Sequence, residues 1–306
     1  MGGKNEKIPN IRVAIIGFSR ISICSKPDFT PKPANIPKGH ATVSIPSDAA
    51  EVSPGVFYLG KAFDKGRVVE GYAIIKYKEN HGKPGTVCGN GICEPGENAN
   101  KCPADCNGGE PEEPDTSSCY GFLSKGAKWK TVEPYIVDPE NTRGLEGIFV
   151  GDNIEFDIKK WETTAGHDIL GNEISGTVDG ADTVSPDDRN EVYFADVDYE
   201  NAIAITIVWG IFGGPPPFRE LVEWDMVFDE IDFDWSMDCE YDINNCTGKM
   251  DFENIATHEL GHSVGLNDLY TSGCSEQTMY GYATEGEIKK RTLEDGDIAG
   301  VRNLYS

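Results

Sequence analysis

The chain has 306 residues, with 52 acidic against 27 basic side chains and a net charge of −25. That length suits about two domains, and the 38% hydrophobic content suits a folded core. The charge excludes a nucleic acid or an anionic membrane as partner, because phosphate binding needs a surplus of Lys and Arg.

No apolar run approaches the roughly 18–20 residues that span a bilayer. The charge is also unevenly placed. Residues 1–118 hold 14 basic and 14 acidic side chains, whereas residues 119–306 hold 13 and 38. The two parts therefore read as different modules.

Residues 1–80 read as a β-rich N-terminal region. VAIIGF, ATVSI, GVFYLG and VVEGYAIIKY are short apolar or alternating segments bounded by Pro and Gly. Asp64-Lys65-Gly66 predicts a hairpin turn between the last two. The run Val13 to Phe18 is too short for a secretory leader and fits a strand better.

Residues 81–118 read as a cysteine-rich module and linker. Four cysteines, Cys88, Cys93, Cys102 and Cys106, lie within 19 residues rich in Gly, Pro and Asn. Such a segment cannot build a core and needs staples, either two disulfides or a metal. It resembles a short cysteine-rich repeat of exported microbial proteins. Disulfides imply an oxidising compartment, hence a secreted protein.

Beyond Cys119 the pattern changes. Ile154, Ile158 and Trp161 lie on one helix face that ends near Thr163, while Gly147 and Gly151 argue against an early start. Strands are predicted at 191–198, 202–210 and 221–230. A helix follows from an Asp251 N-cap through Gly265. The last helix starts near Thr292, where Thr-Leu-Glu-Asp suggests a capping box.

The chemistry is carried by THELGHSVGLND. His258 and His262 are four apart, so on a helix both imidazoles leave the same face and suit two ligands of one zinc ion. Glu259 is placed to reach a water at that ion. Gly265 turns the chain, which can bring Asp268 back toward the metal. A bare H-E-x-x-H arises by chance in roughly 4% of chains this long. Here it extends to HELGHSVGLND and is followed by Thr278-Met279-Tyr280.

This pattern resembles the metzincin zinc peptidases, and within them the matrixins and their archaeal and bacterial relatives. Trp161, VEWDMVFDE and LEDGDIAGVRNLY are similar to the first-helix tryptophan, the strand above the active site and the final helix of that family. The resemblance covers about 125–306. It implies an α+β metzincin domain over 119–306, built of a mixed sheet with active-site and C-terminal helices. It also implies a zinc metalloendopeptidase acting on protein or peptide substrates. His258, His262 and Asp268 would be ligands, Glu259 the general base and Met279 a hydrophobic floor.

The chain departs from the family in several places. Asp268 stands where most matrixins have a third His, and a carboxylate is an ordinary zinc ligand. Only His40, His81 and His167 remain for a second zinc, so none is expected. Position 281 is Gly, so the tyrosine that follows the Met in other metzincins is missing, and the specificity wall is reduced to Gly281-Tyr282.

Glu220 to Asp242 holds ten acids and no base, and Asp179, Asp182, Asp187 and Asp188 form a second acidic loop. Both are candidates for structural calcium, against the plainer reading of a solvated surface. If the four clustered cysteines pair internally and Cys239 pairs with Cys246, then Cys119 and Cys274 can pair and Cys24 is left. Cys24-Ser25-Lys26-Pro27-Asp28 partly matches the matrixin propeptide motif, which makes Cys24 a candidate inhibitory thiol against a default of bystander. The alternative function is an exported binding or surface protein with a catalytically degenerate metzincin domain.

Overall fold

Residues 42–79, 116–237, 239 and 246–306 are described by the computed structural model. The alternating segments of the first stretch form a meander of β1 (Ala50–Ser53), β2 (Val56–Asp64) and β3 (Arg67–Lys78). Lys65 and Gly66 turn between β2 and β3 with φ of 46° and 80°, the left-handed pair that a two-residue hairpin requires. ATVSI contributes only an isolated bridge, Val43 to Val197.

After β4 (Gly121–Phe122) and β5 (Tyr135–Val137) comes helix α1 (Gly147–Ala165). Strands β6 (Asn190–Ala195), β7 (Ala202–Ile211) and β8 (Glu220–Asp229) follow, close to their predicted bounds. Short pairs β9 (Trp235–Ser236) and β10 (Met250–Asp251) lead into α2 (Phe252–Ser263). Then come β11 (Leu266–Asn267), which pairs with β4, β12 (Tyr282–Ala283) and α3 (Asp295–Tyr305). The fold is α+β.

The main sheet runs β1-β2-β3-β7-β8-β6-β5, with β12 parallel to the end of β3. Pairing is antiparallel from β1 to β8 and parallel from β8 to β5. Strands before residue 80 and strands after 119 thus share one sheet. Composition and charge differ across the 81–118 segment, but main-chain pairing is insensitive to both. All described residues belong to one unit, Ile36–Ser306.

The three helices cover one face of the sheet. Ile154, Ile158, Trp161, Leu260 and Val301 pack there with Ile74, Val192 and Phe228. The other face buries Ala73, Ile75, Ile205, Trp209 and Val227. Each fully buried Ile, Leu, Val or Phe among them contributes about 1.5–3 kcal/mol of burial.

Two helix starts differ from expectation. α1 begins at Gly147, because packing of Val150, Ile154, Ile158 and Trp161 outweighs the roughly 1 kcal/mol penalty of each glycine. Its end is closed by Gly166, φ 71°, whose N–H donates to Glu162 O. α3 is capped by Glu294, not Thr292: the Asp297 carboxylate accepts from Glu294 N at 3.0 Å. The Thr292 hydroxyl instead faces Glu294 Oε1 at 3.1 Å.

Cys119 pairs with Cys274 and Cys239 with Cys246. The first closes a separation of 155 residues, worth about 5 kcal/mol in the chain-entropy account. Cys24 and the four clustered cysteines lie outside the described residues. Among the described residues no helix is long and apolar enough to cross a membrane.

Asp157 on α1 is fully buried, with Lys160 Nζ 2.7 Å from its Oδ1. Burial outweighs the lysine and pushes the carboxyl from 3.8 up to about 7. The folded state therefore holds a proton that the unfolded state has lost, and stability drains away as pH rises through that window. Between pH 4 and 8 the Asp157→Asn variant is expected to gain on the parent by on the order of 4 kcal/mol in urea unfolding. A stability difference that does not change with pH would refute the assignment.

Candidate metal centre

The candidate site is built on α2. Asp251 caps this helix, its side chain accepting from Asn254 N at 2.9 Å, as the sequence predicts. His258 and His262 therefore project from one face, their ring centroids 4.9 Å apart. The helix ends at Ser263, Gly265 takes a φ of 104°, and the chain reverses through β11. This returns Asp268, so that His258, His262 and Asp268 form a cluster whose ligand atoms lie within 4.8 Å of one another.

Each histidine is oriented from behind. Thr278 O lies 2.6 Å from His258 Nδ1, and Leu266 O lies 3.0 Å from His262 Nδ1. A carbonyl only accepts, so each Nδ1 carries the proton and each Nε2 presents a lone pair to the cluster. Asp268 Oδ1 stands 3.1 Å from His258 Nε2 and 3.6 Å from His262 Nε2. Ligands at about 2.0–2.1 Å from a tetrahedral ion are roughly 3.3 Å apart, so these separations fit one shared ion. His262 Nε2, Asp268 Oδ1 and Glu259 Oε1 are buried without a hydrogen-bond partner. The orphaned His262 nitrogen and Asp268 oxygen, with the Nε2 of His258 beside them, form a donor set that suits zinc.

Burial governs the electrostatics. It lowers His258 to about 3 and lowers His262 as well, so both rings are neutral at neutral pH. Burial alone would raise Asp268, but the two histidines and Lys76 hold it at about 2. Glu259 is pushed up to about 8 by burial, against the opposing pull of the Thr206 hydroxyl and Lys76.

Several partners were not visible in the sequence. Thr206 on β7 donates its hydroxyl to Glu259 Oε2 at 2.6 Å. Strand β7 thus reaches the site. Tyr270 Oη lies 3.0 Å from Asp268 Oδ2 and 2.9 Å from Pro54 O. Its ring also accounts for Gly281, where a Cβ would come within 2.4 Å of it. Lys76 on β3 is fully buried, its Nζ 3.1 and 3.3 Å from the His258 ring nitrogens, and burial lowers it to about 7. Asp297 accepts from Thr278 N at 2.7 Å and Met279 N at 3.1 Å, which fixes the turn that carries Thr278 O. These contacts join residues far apart in the chain and have no local signature.

A second cluster joins Asp182, Glu223 and Asp225. Of the acids singled out in the sequence, Asp179 is held by Arg189 and Asp188 by Lys65, at 2.8 and 2.7 Å. Asp187 N donates to Glu223 Oε2 at 2.7 Å. Glu223 Oε1 is buried and unpartnered. Burial and the neighbouring carboxylates push Glu223 up to about 10.

A protein-family model described as Matrixin matches residues 151–306. No curated protein matches the chain.

Met279 and Trp161 meet at Gly261, inside the histidine motif. A Cβ there would lie 2.1 Å from Met279 Sδ and 2.9 Å from Trp161 Cζ2. Trp161 is further tied by its Nε1, which donates to Thr257 O at 2.9 Å. Gly261→Ala is expected to destabilise the fold by about 1–3 kcal/mol through overpacking. Zinc titration should weaken with it, and an unchanged unfolding midpoint would contradict this packing.

Proposed function

The chain belongs to the matrixin family, and we propose that it is a zinc-dependent metalloendopeptidase with His258, His262 and Asp268 as ligands. The observation that carries this reading is the convergence of their lone pairs beside an unpartnered Glu259 Oε1. Zinc, when bound, supplies a Lewis acid that polarises the scissile carbonyl and offsets the developing negative charge.

The protein's own part is proton transfer. Thr206 holds one oxygen of Glu259 and leaves the other free to face the ligands. Glu259 takes the proton of the attacking water and returns it to the departing amine. Met279 is the buried floor, packed on Gly261. The alternative, a binding protein with a degenerate domain, is disfavoured because each ligand and acid–base position is filled.

The disulfides Cys119–Cys274 and Cys239–Cys246 favour an oxidising, extracellular setting. We assign calcium to the Asp182, Glu223 and Asp225 cluster, because a hard dication relieves crowded carboxylates and engages the orphaned Glu223 oxygen. Cys24 remains a candidate inhibitory thiol.

With zinc-loaded protein and a quenched peptide library, slow hydrolysis that a chelator abolishes is expected. Glu259→Ala should keep one zinc per chain and lose a factor of about 10²–10⁴ in rate. Retained hydrolysis in that variant would sink the mechanism. Millimolar calcium should raise the thermal midpoint by a few degrees in the parent and not in Glu223→Gln. Equal midpoints with and without calcium in the parent would remove the calcium assignment.

A further inference from the structure

Strand β3 lies across the metal ligands. Ile74 pairs with Thr206, whose hydroxyl holds Glu259, and Lys76 pairs with Ala204. Ile74 and Lys76 are in phase on the strand, and both are fully buried. Lys76 Nζ donates to Tyr280 O at 2.5 Å and stands 3.1 Å from His258 Nδ1.

Both edges of the strand are used here. On one side β3 runs antiparallel to β7 from Glu70↔Gly210 to Tyr77↔Ala202. On the other it pairs antiparallel with β2 from Arg67 to Ile74, and only at its end runs parallel to β12, Tyr77 against Tyr282 and Lys78 against Ala283. Beyond its end, Lys78 N donates to Asn201 O and Glu79 N to Ala283 O, at 2.9 and 2.8 Å. His258, Glu259 and His262 are fully buried beneath it, and Asp268 is 8% exposed.

A peptidase must hold its substrate as an extended segment, by main-chain bonds to a strand edge, with one peptide bond at the reacting groups. The edge of β7, flanked by β12 at the Tyr77 end, offers those bonds over His258 and Glu259, and the chain's own strand fills it. We propose that Glu70–Lys78 is an internal occupant of the peptide-binding edge of β7, which must leave before a substrate enters. What β3 directs at the ligands is the Lys76 amine. The proposal rests on the peptidase reading of the same site.

The test uses the full chain loaded with zinc, metal content measured directly. Binding of a fluorescent peptide hydroxamate and hydrolysis of a quenched peptide are followed in parallel. Two variants weaken the occupant in different ways. Lys76→Ala removes the amine. Gly71→Val drives a side chain into Trp209, since even a Cβ at Gly71 would lie 2.6 Å from that ring. Folding is checked by far-UV circular dichroism.

Both variants should bind the hydroxamate at least tenfold more tightly than the parent and hydrolyse the peptide at least tenfold faster. In the parent, saturating hydroxamate should strip hydrogen-exchange protection from amides 70–77, a readout that needs no variant. Parent binding as tight as that of folded variants, or bound hydroxamate with 70–77 still protected, would overturn the proposal. Tighter binding without hydrolysis would keep the occupied edge and sink the peptidase reading. Hydrolysis by a parent whose β3 stays protected would do the reverse.

Discussion

The carbonyl oxygens of Thr278 and Leu266 decide which nitrogen of each histidine faces the ligand cluster. Much of the surrounding packing follows from the need to place them. Leu266 O reaches His262 only because the chain reverses at Gly265, directly after α2. Thr278 O reaches His258 because Asp297 holds the amides of Thr278 and Met279. Asp297 is also part of the cap of α3, and α3 is anchored in the core through Val301 and Leu304. The C-terminal helix is thus a positioning element for a ring nearly forty residues upstream. Met279 completes the frame by packing on Gly261, the glycine between the two histidines.

This arrangement concentrates ionisable groups where solvent cannot reach them. Lys76, His258, Glu259 and His262 are all fully buried. Burial of unpaired polar atoms is costly, and the orphaned Nε2 of His262 and Oδ1 of Asp268 are tolerable chiefly if a cation binds them. A related logic applies to the acids of the 177–191 loop. Glu191, Glu223 and Asp225 accept backbone N–H groups of Asp179, Gly180, Asp187 and Asp182. Part of the net charge of −25 is therefore internal scaffolding, not only solvated surface.

Features governed by short sequence separation were legible. The i, i+4 histidines, the Asp251 cap, the turn at Lys65-Gly66 and the return to Asp268 all depend on neighbours within a few residues. The cap of α3 was misplaced by two residues because Thr292, Glu294 and Asp297 offer overlapping solutions, and only the contact of Asp297 with the Met279 turn selects one. Thr206 and Lys76 were invisible for a different reason. They lie 53 and 182 residues from the side chains they contact, so only strand pairing brings them in. One local clue existed: Lys76 occupies a position in phase with Ile74, where an alternating strand calls for an apolar side chain.

Main-chain pairing with β7 and β12 is indifferent to sequence, so any extended peptide satisfies those groups as β3 does. Selectivity must then arise from the side chains that flank that edge. These are conspicuously aromatic. Tyr282 of β12 meets Tyr270 and Tyr280 with ring centroids 5.3 and 5.9 Å away. Tyr270 also touches Asp268, so the wall and the ligand set share a residue. Gly281 is the hinge of that sharing, because any larger residue would displace the Tyr270 ring. In the Gly281-Tyr282 segment the Tyr270 ring takes the space that a side chain at 281 would fill. This exchange of a side chain at 281 for an aromatic one delivered from 270 couples the shape of the binding edge to the orientation of the third ligand.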